Sequence, residues 1–337
     1  MITSRQLAEM AGVSRGTVDR VLNHRGGVRP EVQQLVERLA RENDYVPNRA
    51  GKALVMRGPL RVDVLLNSVG NPFYDDVRIG LQEAAADYAD FSLHIHVAEM
   101  KGYDPDVQLQ QLEIAKTAGA AGVILTPLNH PAVAAAIDDM TDNGCPVVAL
   151  NSDLEGCRRL AYVGCDYIRS GQTAAHILGL VAGGRGKVLA VTGSLEMLGH
   201  SQRIAGFREV LQKEYPAMDI AEILENNDDE QQSARLVAQA LKCHRDVTAL
   251  YFAAGGVAGG VDAAGADGVR RTIIACDLTP ESRRMLEDGR IQVIIGQQPY
   301  WQGHTAMKLL LDHLLLSRQP GEDCCYARNE ILTKYNA

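Results

Sequence analysis

No stretch of the 337 residues approaches the roughly 20 consecutive apolar positions needed to cross a bilayer. The apolar runs are short, such as "AGVILTP" and "VVAL". A secretory leader is also missing from the first residues, "MITSRQLAEMAG", which have no basic stretch followed by an apolar one. The expectation is a soluble, cytoplasmic chain with no membrane partner. The seven cysteines, at 145, 157, 165, 243, 276, 324 and 325, include no C-x-x-C pair. An odd set without that spacing argues against a disulfide framework and a zinc site, and leaves reduced, mostly buried thiols.

Cofactor and catalytic signatures are scarce as well. "YFAAGGVAGG" has glycines at 255, 256, 259 and 260, which do not fit G-x-G-x-x-G. "AGGRGKVLAV" lacks the glycine five before Gly186 and the Ser/Thr after Lys187 that a phosphate-binding loop needs. His200 and Ser201 are adjacent in "GHSQR", but neighbours in sequence seldom form a nucleophile and base, and G-x-S-x-G is absent. No cofactor, no metal and no enzymatic activity are expected.

What is present is an uneven charge. The net charge of -8 divides into ten Lys/Arg against six Asp/Glu over residues 1–58, a balance of +4, and 24 against 36, or -12, over the rest. A basic head on an acidic body means that a polyanion is met by the head alone. Within that head, "TSRQLAEM" places Leu7, Ala8 and Ala11 on one face of a short helix that Gly12 ends. Ser14 suits the N-cap of a second helix, "RGTVDRVLN", with Val18, Val21 and Leu22 inward and Arg15, Gly16, Asp19 and Arg20 outward. Pro30 opens a third, with Val32, Leu35, Val36 and Leu39 at helical spacing. Arg15 and Arg20 can each make the bidentate contact to guanine in a major groove, and Gly16 permits close backbone approach. Thr3, Ser14, Thr17 and Asn23 are short donors of the kind that meet phosphates.

These residues carry a resemblance. "SRQLAEMAGVSRGTVDRVLN" followed by "PEVQQLVERLARENDYVPNRAGKAL" resembles the head of the lac repressor family of bacterial transcription regulators, without gaps over residues 3–54. The resemblance implies that Arg15, Gly16 and Arg20 read an operator. It adds Asn48 to the DNA contacts and implies a hinge helix whose leucine, here Leu54, wedges into the minor groove at the operator centre. Asp19 departs from the family's usual small hydroxyl, which leaves it to accept from a cytosine amine or to pair with Arg15.

From Leu60 the texture becomes short apolar runs alternating with helical patterns, which predicts parallel sheets covered by helices. The expected fold class is α/β: a three-helix helix-turn-helix head over residues 1–46, a hinge or linker helix over 47–59, and a two-lobed body over 60–337. The lobes are expected at about 60–163 plus 279–297, and 164–278 plus 298–337. The body resembles the two-lobed periplasmic sugar-binding fold, most of all its ribose-type members. That resemblance implies a small sugar-like effector held by Asn71, Phe73 and Tyr74 of "NPFYDDVRIG", Asn151 and Asp153 of "VVALNSD", Arg203, Asp277 and Gln297. Where ribose-like binders carry an asparagine and an aspartate, this chain has Gly255 and Gly256, so the cleft is expected to lose polar side chains there.

The reading is a transcription regulator, of repressor type, that binds a near-palindromic operator as a homodimer under control of a sugar. The tail "NEILTKYNA" has no leucine heptads, and a dimer is expected. The other reading of the body, a solute-binding protein of a sugar transporter, gives the basic head no use.

Overall fold

The computed structural model describes residues 4–22, 27–43 and 59–337. In the head, α1 (Ser4–Ala11), α2 (Arg15–Leu22) and α3 (Pro30–Glu42) surround a small core to which each helix contributes one fully buried aliphatic: Leu7, Val18 and Val36. The turn between α1 and α2 forms for two local reasons. Gly12 takes φ 63, a left-handed angle that ends α1. Ser14 then caps α2 by accepting from the Thr17 N–H at 3.1 Å. Thr3, Asn23, Asn48, Leu54 and the expected hinge helix lie outside the described residues, apart from its last position.

The body begins with β1 (Leu60–Leu66), α4 (Phe73–Ala86), β2 (Leu93–Glu99), α5 (Pro105–Thr117), β3 (Gly122–Leu125), α6 (Pro131–Asp142), β4 (Val147–Asn151) and β5 (Ala161–Cys165). It continues through α7 (Tyr167–Val181), β6 (Arg185–Thr192), α8 (Leu198–Glu214), β7 (Ala217–Glu225), α9 (Glu230–Cys243), β8 (Val247–Phe252), α10 (Val257–Gly265), β9 (Thr272–Cys276), α11 (Pro280–Glu287) and β10 (Val293–Gly296). Last come α12 (Pro299–Leu316), β11 (Cys324–Ala327) and β12 (Glu330–Leu332). Turn chemistry sets many of the helix starts. Asp104, Asp166 and Asp229 cap α5, α7 and α9 through their carboxylates, while Thr279 and Ser282 form a capping box on α11.

Two six-stranded sheets result, β11-β5-β4-β3-β1-β2 and β12-β10-β9-β8-β6-β7, and every pairing is parallel except β10 with β12. Among the central strands, Gly122–Leu125 and Val293–Gly296 are apolar and buried at every position because helices cover both faces.

The lobe limits expected over residues 279–327 are reversed; β12, beyond them, lies in the second sheet. Residues 279–297 carry α11 and β10 and belong to the second sheet, whereas α12 packs into the first lobe's core and β11 joins the first sheet. A strand, helix and strand in close succession, as in β9, α11 and β10, return to the same sheet. The chain changes lobe instead at Gln298, a non-glycine residue at φ 55. It crosses between the lobes three times, near Asp166, at Gln298 and at 328–329. Gln298 ties two of these crossings together, donating to Glu330 at 2.9 Å and accepting from the Arg328 N–H at 3.1 Å.

Each lobe contains one helix pair in backbone contact through reciprocal glycines. A side-chain carbon at Gly80 of α4 would lie 2.1 Å from the Tyr300 carbonyl oxygen, and one at Gly303 of α12 would lie 2.1 Å from that of Val77. In the second lobe Gly171 of α7 meets the Arg203 carbonyl at 2.0 Å, and Gly206 of α8 meets that of Ile168 at 2.1 Å. These crossings fix the helices that carry Phe73, Tyr74 and Arg203.

Candidate functional site

The strands of both sheets end at one cavity between the lobes. Asn67, Asn151, Asp277 and Gln297 each end a strand or directly follow one, and all four line it. The carboxyl ends of strands in open α/β sheets are where ligands bind. Backbone strain gathers at the same place. Of the described non-glycine residues with positive φ, Asn151 (66), Asp228 (54) and Asp277 (69) line the cavity, a concentration typical of functional sites.

Of the effector residues expected from sequence, the structure brings together Asn71, Phe73, Tyr74, Asn151, Arg203, Asp277 and Gln297 around this cavity. Phe73 and Tyr74 meet edge to face at 5.2 Å, held at the start of α4 by Asn71, whose side-chain oxygen accepts from the Phe73 N–H at 3.0 Å. Their rings supply an apolar wall, and the amides and charges opposite can fix hydroxyl groups. Asp153 is not brought in. It forms a bidentate ion pair with Arg159 at 2.5 and 2.6 Å and accepts from the Leu154 N–H, so its carboxylate is committed to the first lobe's own loop.

Arg203 is the centre of the cavity's second-lobe wall. It is only 2 % exposed, donates through Nη1 to the Ala253 carbonyl at 2.6 Å, and lies over the Tyr167 ring at 4.6 Å. Its Nη2, and Nδ2 of Asn67 across the cleft, are buried donors without a hydrogen-bond partner. An unpaired buried donor is costly unless a ligand oxygen completes it. Asp277 accepts from Gln297 at 2.7 Å, and burial raises its pKa above the usual carboxylate range against the opposing pull of Arg203 and Gln297. Tyr167 adds the hydroxyl that bonds the Asn151 carbonyl at 2.5 Å, a direct link from the second lobe to the first. With these contacts made, the cavity is contracted to about 20 Å³, the room of roughly one water molecule.

Sequence reasoning missed Asn67, Tyr103, Tyr167, His200 and Asp228 as lining residues. Four of the five lie in or at the edge of loops that leave strand ends, and applying the strand-end rule to every such loop would have found them. His200 enters instead from the first turn of α8. Its Nδ1 sits 3.2 Å from the Ser194 amide nitrogen and 3.1 Å from the Ser194 carbonyl oxygen. Burial, helped by the Arg203 charge and opposed by Asp228, lowers its pKa, so the ring is neutral at pH 7. The unfolded chain binds a proton at this residue below about pH 6.5 that the native protein refuses until lower pH. Stability is therefore expected to fall as pH drops below about 6.5. In urea titrations at pH 7 and 5.5, His200→Gln should lose less stability than the parent; equal losses would remove His200 from the acid response.

In the head, Arg15, Gly16, Asp19 and Arg20 are exposed together on one face of α2. A side-chain carbon at Gly16 would meet only Ser14 Oγ, at 3.7 Å, so the fold itself does not require a glycine there. Ser14 and Thr17 share a hydroxyl hydrogen bond of 2.9 Å at the start of this face, which leaves one of their two protons for an outside acceptor.

Two family models match the chain: bacterial regulatory proteins of the lacI family over residues 5–48, and a periplasmic binding protein domain over 62–317. Among curated relatives, the chain is similar to the HTH-type transcriptional regulator DegA of Bacillus subtilis, at 26% identity over 63% of this chain and 61% of that one. It is likewise 26% identical to the ribose operon repressor of Halalkalibacterium halodurans, over 77% of this chain and 74% of that one. Among solved structures, the glucose-galactose binding protein GanP of Geobacillus stearothermophilus aligns with a TM-score of 0.76 at 24% identity, covering 83% of this chain and 99% of that one. That likeness gives the fold of the body. Among the described residues no helix is long and apolar enough to cross a membrane.

Proposed function

The chain belongs to the lacI family of bacterial regulatory proteins, with a periplasmic binding protein domain behind its head, and from that premise we propose that it is a sugar-responsive, operator-specific transcription regulator. The observation that carries this reading is the pairing of an exposed, Ser14-capped helix bearing Arg15 and Arg20 with a two-lobed body whose strands converge on Arg203 and Asp277. The named relatives, a transcriptional regulator and a ribose operon repressor, support the same conclusion. The body alone also suits a transporter's solute-binding protein, but the head favours regulation of DNA in the cytoplasm.

The mechanism follows from the three crossings. A monosaccharide does not fit a cavity of about 20 Å³, so the lobes part to admit it and close on it. Ligand binding therefore shifts a closure equilibrium, and the segment that leaves the first lobe at Pro59 carries the change to the head. Two chains acting as a homodimer present two heads to the half-sites of a near-palindromic operator. In that complex Arg15, Gly16 and Arg20 face base edges, Thr3, Ser14, Thr17, Asn23 and Asn48 contact phosphate or sugar, and Leu54 enters the minor groove.

Selection of bound duplexes from a random pool tests the DNA half of this reading and should return a two-fold symmetric site. On that site, Arg20→Ala should weaken binding by about 1–3 kcal/mol and relax preference at one base pair per half-site. The same loss on every sequence would make Arg20 a phosphate contact instead of a base reader.

A further inference from the structure

Gly255 leaves the end of β8 without a polar side chain, yet the cleft does not lose one, because Asp228 enters the same space from the loop between β7 and α9. A side-chain carbon at Gly255 would lie 3.0 Å from Asp228 Cβ and 3.1 Å from its Oδ1; one at Gly193, at the end of β6, would lie 2.6 Å from that oxygen. The carboxylate thus fills volume that two glycines leave open. Its placement is specified by a reciprocal set of hydrogen bonds. Asn226 accepts from the Asp228 N–H at 3.0 Å and donates to the Gly255 carbonyl at 2.9 Å, and the Gly255 N–H donates to Asp228 Oδ1 at 2.8 Å. Asn227 and Asp228 both hold left-handed angles, φ 52 and 54, to make the turn. From the opposite lobe, the Tyr103 hydroxyl donates to the second carboxylate oxygen.

The charges around the cavity are then two carboxylates, Asp228 and Asp277, against the single guanidinium of Arg203. We propose that Asp228 is the discriminating residue of this pocket, selecting polyhydroxylated ligands that are uncharged or carry an amine and rejecting those that bear phosphate or carboxylate. This rests on the sugar-responsive reading above. A ligand hydroxyl or ammonium can donate to Asp228 in place of Tyr103, a charge-assisted bond that ties the ligand to the second lobe. A phosphate ester instead brings a dianion, stripped of water, beside two carboxylates with one cation to offset it.

The test uses the full chain and a panel of D-pentoses and D-hexoses, their 2-amino-2-deoxy forms and their terminal phosphate esters. Thermal unfolding identifies the ligands, and calorimetry gives the affinities. At least one uncharged or amino sugar should raise the unfolding midpoint, and its phosphate ester should bind at least a hundredfold more weakly. Asp228→Asn should shrink that ratio at least tenfold. In the double variant Asp228→Gly, Gly255→Asp, the carboxylate returns to the strand end, where the backbone angle is not left-handed, and rejection of the ester should be restored. An ester that binds as well as its parent sugar, or a ratio unchanged in Asp228→Asn, overturns the assignment while leaving the regulator reading intact. If Asn at 228 unfolds the protein, failure of the double variant to reject the ester overturns it instead. A wild-type chain that no member of the panel stabilises overturns the sugar-responsive reading itself.

Discussion

Arg203→Lys should fold and bind operator DNA, yet require far more sugar for any response. The guanidinium is placed by three contacts that a lysine ammonium cannot reproduce together: the 2.6 Å bond to the Ala253 carbonyl, a longer one of 3.4 Å to Ser170 Oγ, and the face of Tyr167. Its remaining nitrogen, Nη2, is the buried donor without a partner, free to meet a ligand oxygen. A planar fork that stacks and donates in several directions is not replaced by a point charge on a flexible stem. Disrupting such a buried, hydrogen-bonded charge costs a complex about 2–5 kcal/mol, so sugar affinity should fall by a factor of roughly 30 or more. Lysine is preferred to alanine because it keeps a positive charge beside Asp277, and the unpaired carboxylate that alanine leaves is itself destabilising. Calorimetry with the stabilising sugar checks the loss, and operator titration checks that the head is untouched. Sugar affinity within twofold of the parent would place the pocket elsewhere.

Gly303→Ala should lose about 1–3 kcal/mol or more of stability, because the new methyl group would lie 2.1 Å from the backbone oxygen of Val77 and α4 must move away from α12. Urea unfolding followed by circular dichroism should show a lower midpoint with an unchanged slope. Gly171→Ala makes the same collision in the second lobe, at 2.0 Å from the carbonyl of Arg203 itself, so it should also weaken sugar binding by displacing α8. Gly265→Ala is the control. No atom beyond its own helix and chain neighbours lies within 4 Å of the added carbon, and alanine's helix propensity gains up to about 1 kcal/mol. Equal destabilisation at 265 and 303 would mean that helix contact is not the reason for these glycines.

Much of this architecture is legible in the sequence because its determinants are local. Gly12, Ser14 and Pro30 mark the head's helices, and the Asp-Pro and Thr-Pro pairs at 104–105 and 279–280 mark helix starts in the body. The alternation of apolar runs with helical patterns gives two α/β lobes for the same reason. The side of the cleft to which residues 279–327 belong is different, since the chain changes lobe at Gln298, whose left-handed angle its side chain does not advertise. Asp153 looks like a cleft residue from its position after β4, but Arg159, six positions on, claims it. Asp228 is hidden for the opposite reason. Its approach to the cavity depends on the missing side chains at Gly193 and Gly255, more than 25 residues away on either side. A pairwise exchange of volume of that kind has no local signature.

Control of DNA affinity by the cleft is tested most directly by titrating a fluorescent operator duplex with the protein in the presence and absence of saturating sugar, and then titrating the sugar with and without operator. Coupling of about 1–3 kcal/mol, a change of roughly 5- to 150-fold in operator affinity, is expected, and the sugar's own affinity must change by the same factor when DNA is bound. Operator affinity that is indifferent to a sugar shown to occupy the cavity would contradict a regulator governed by closure of its two lobes.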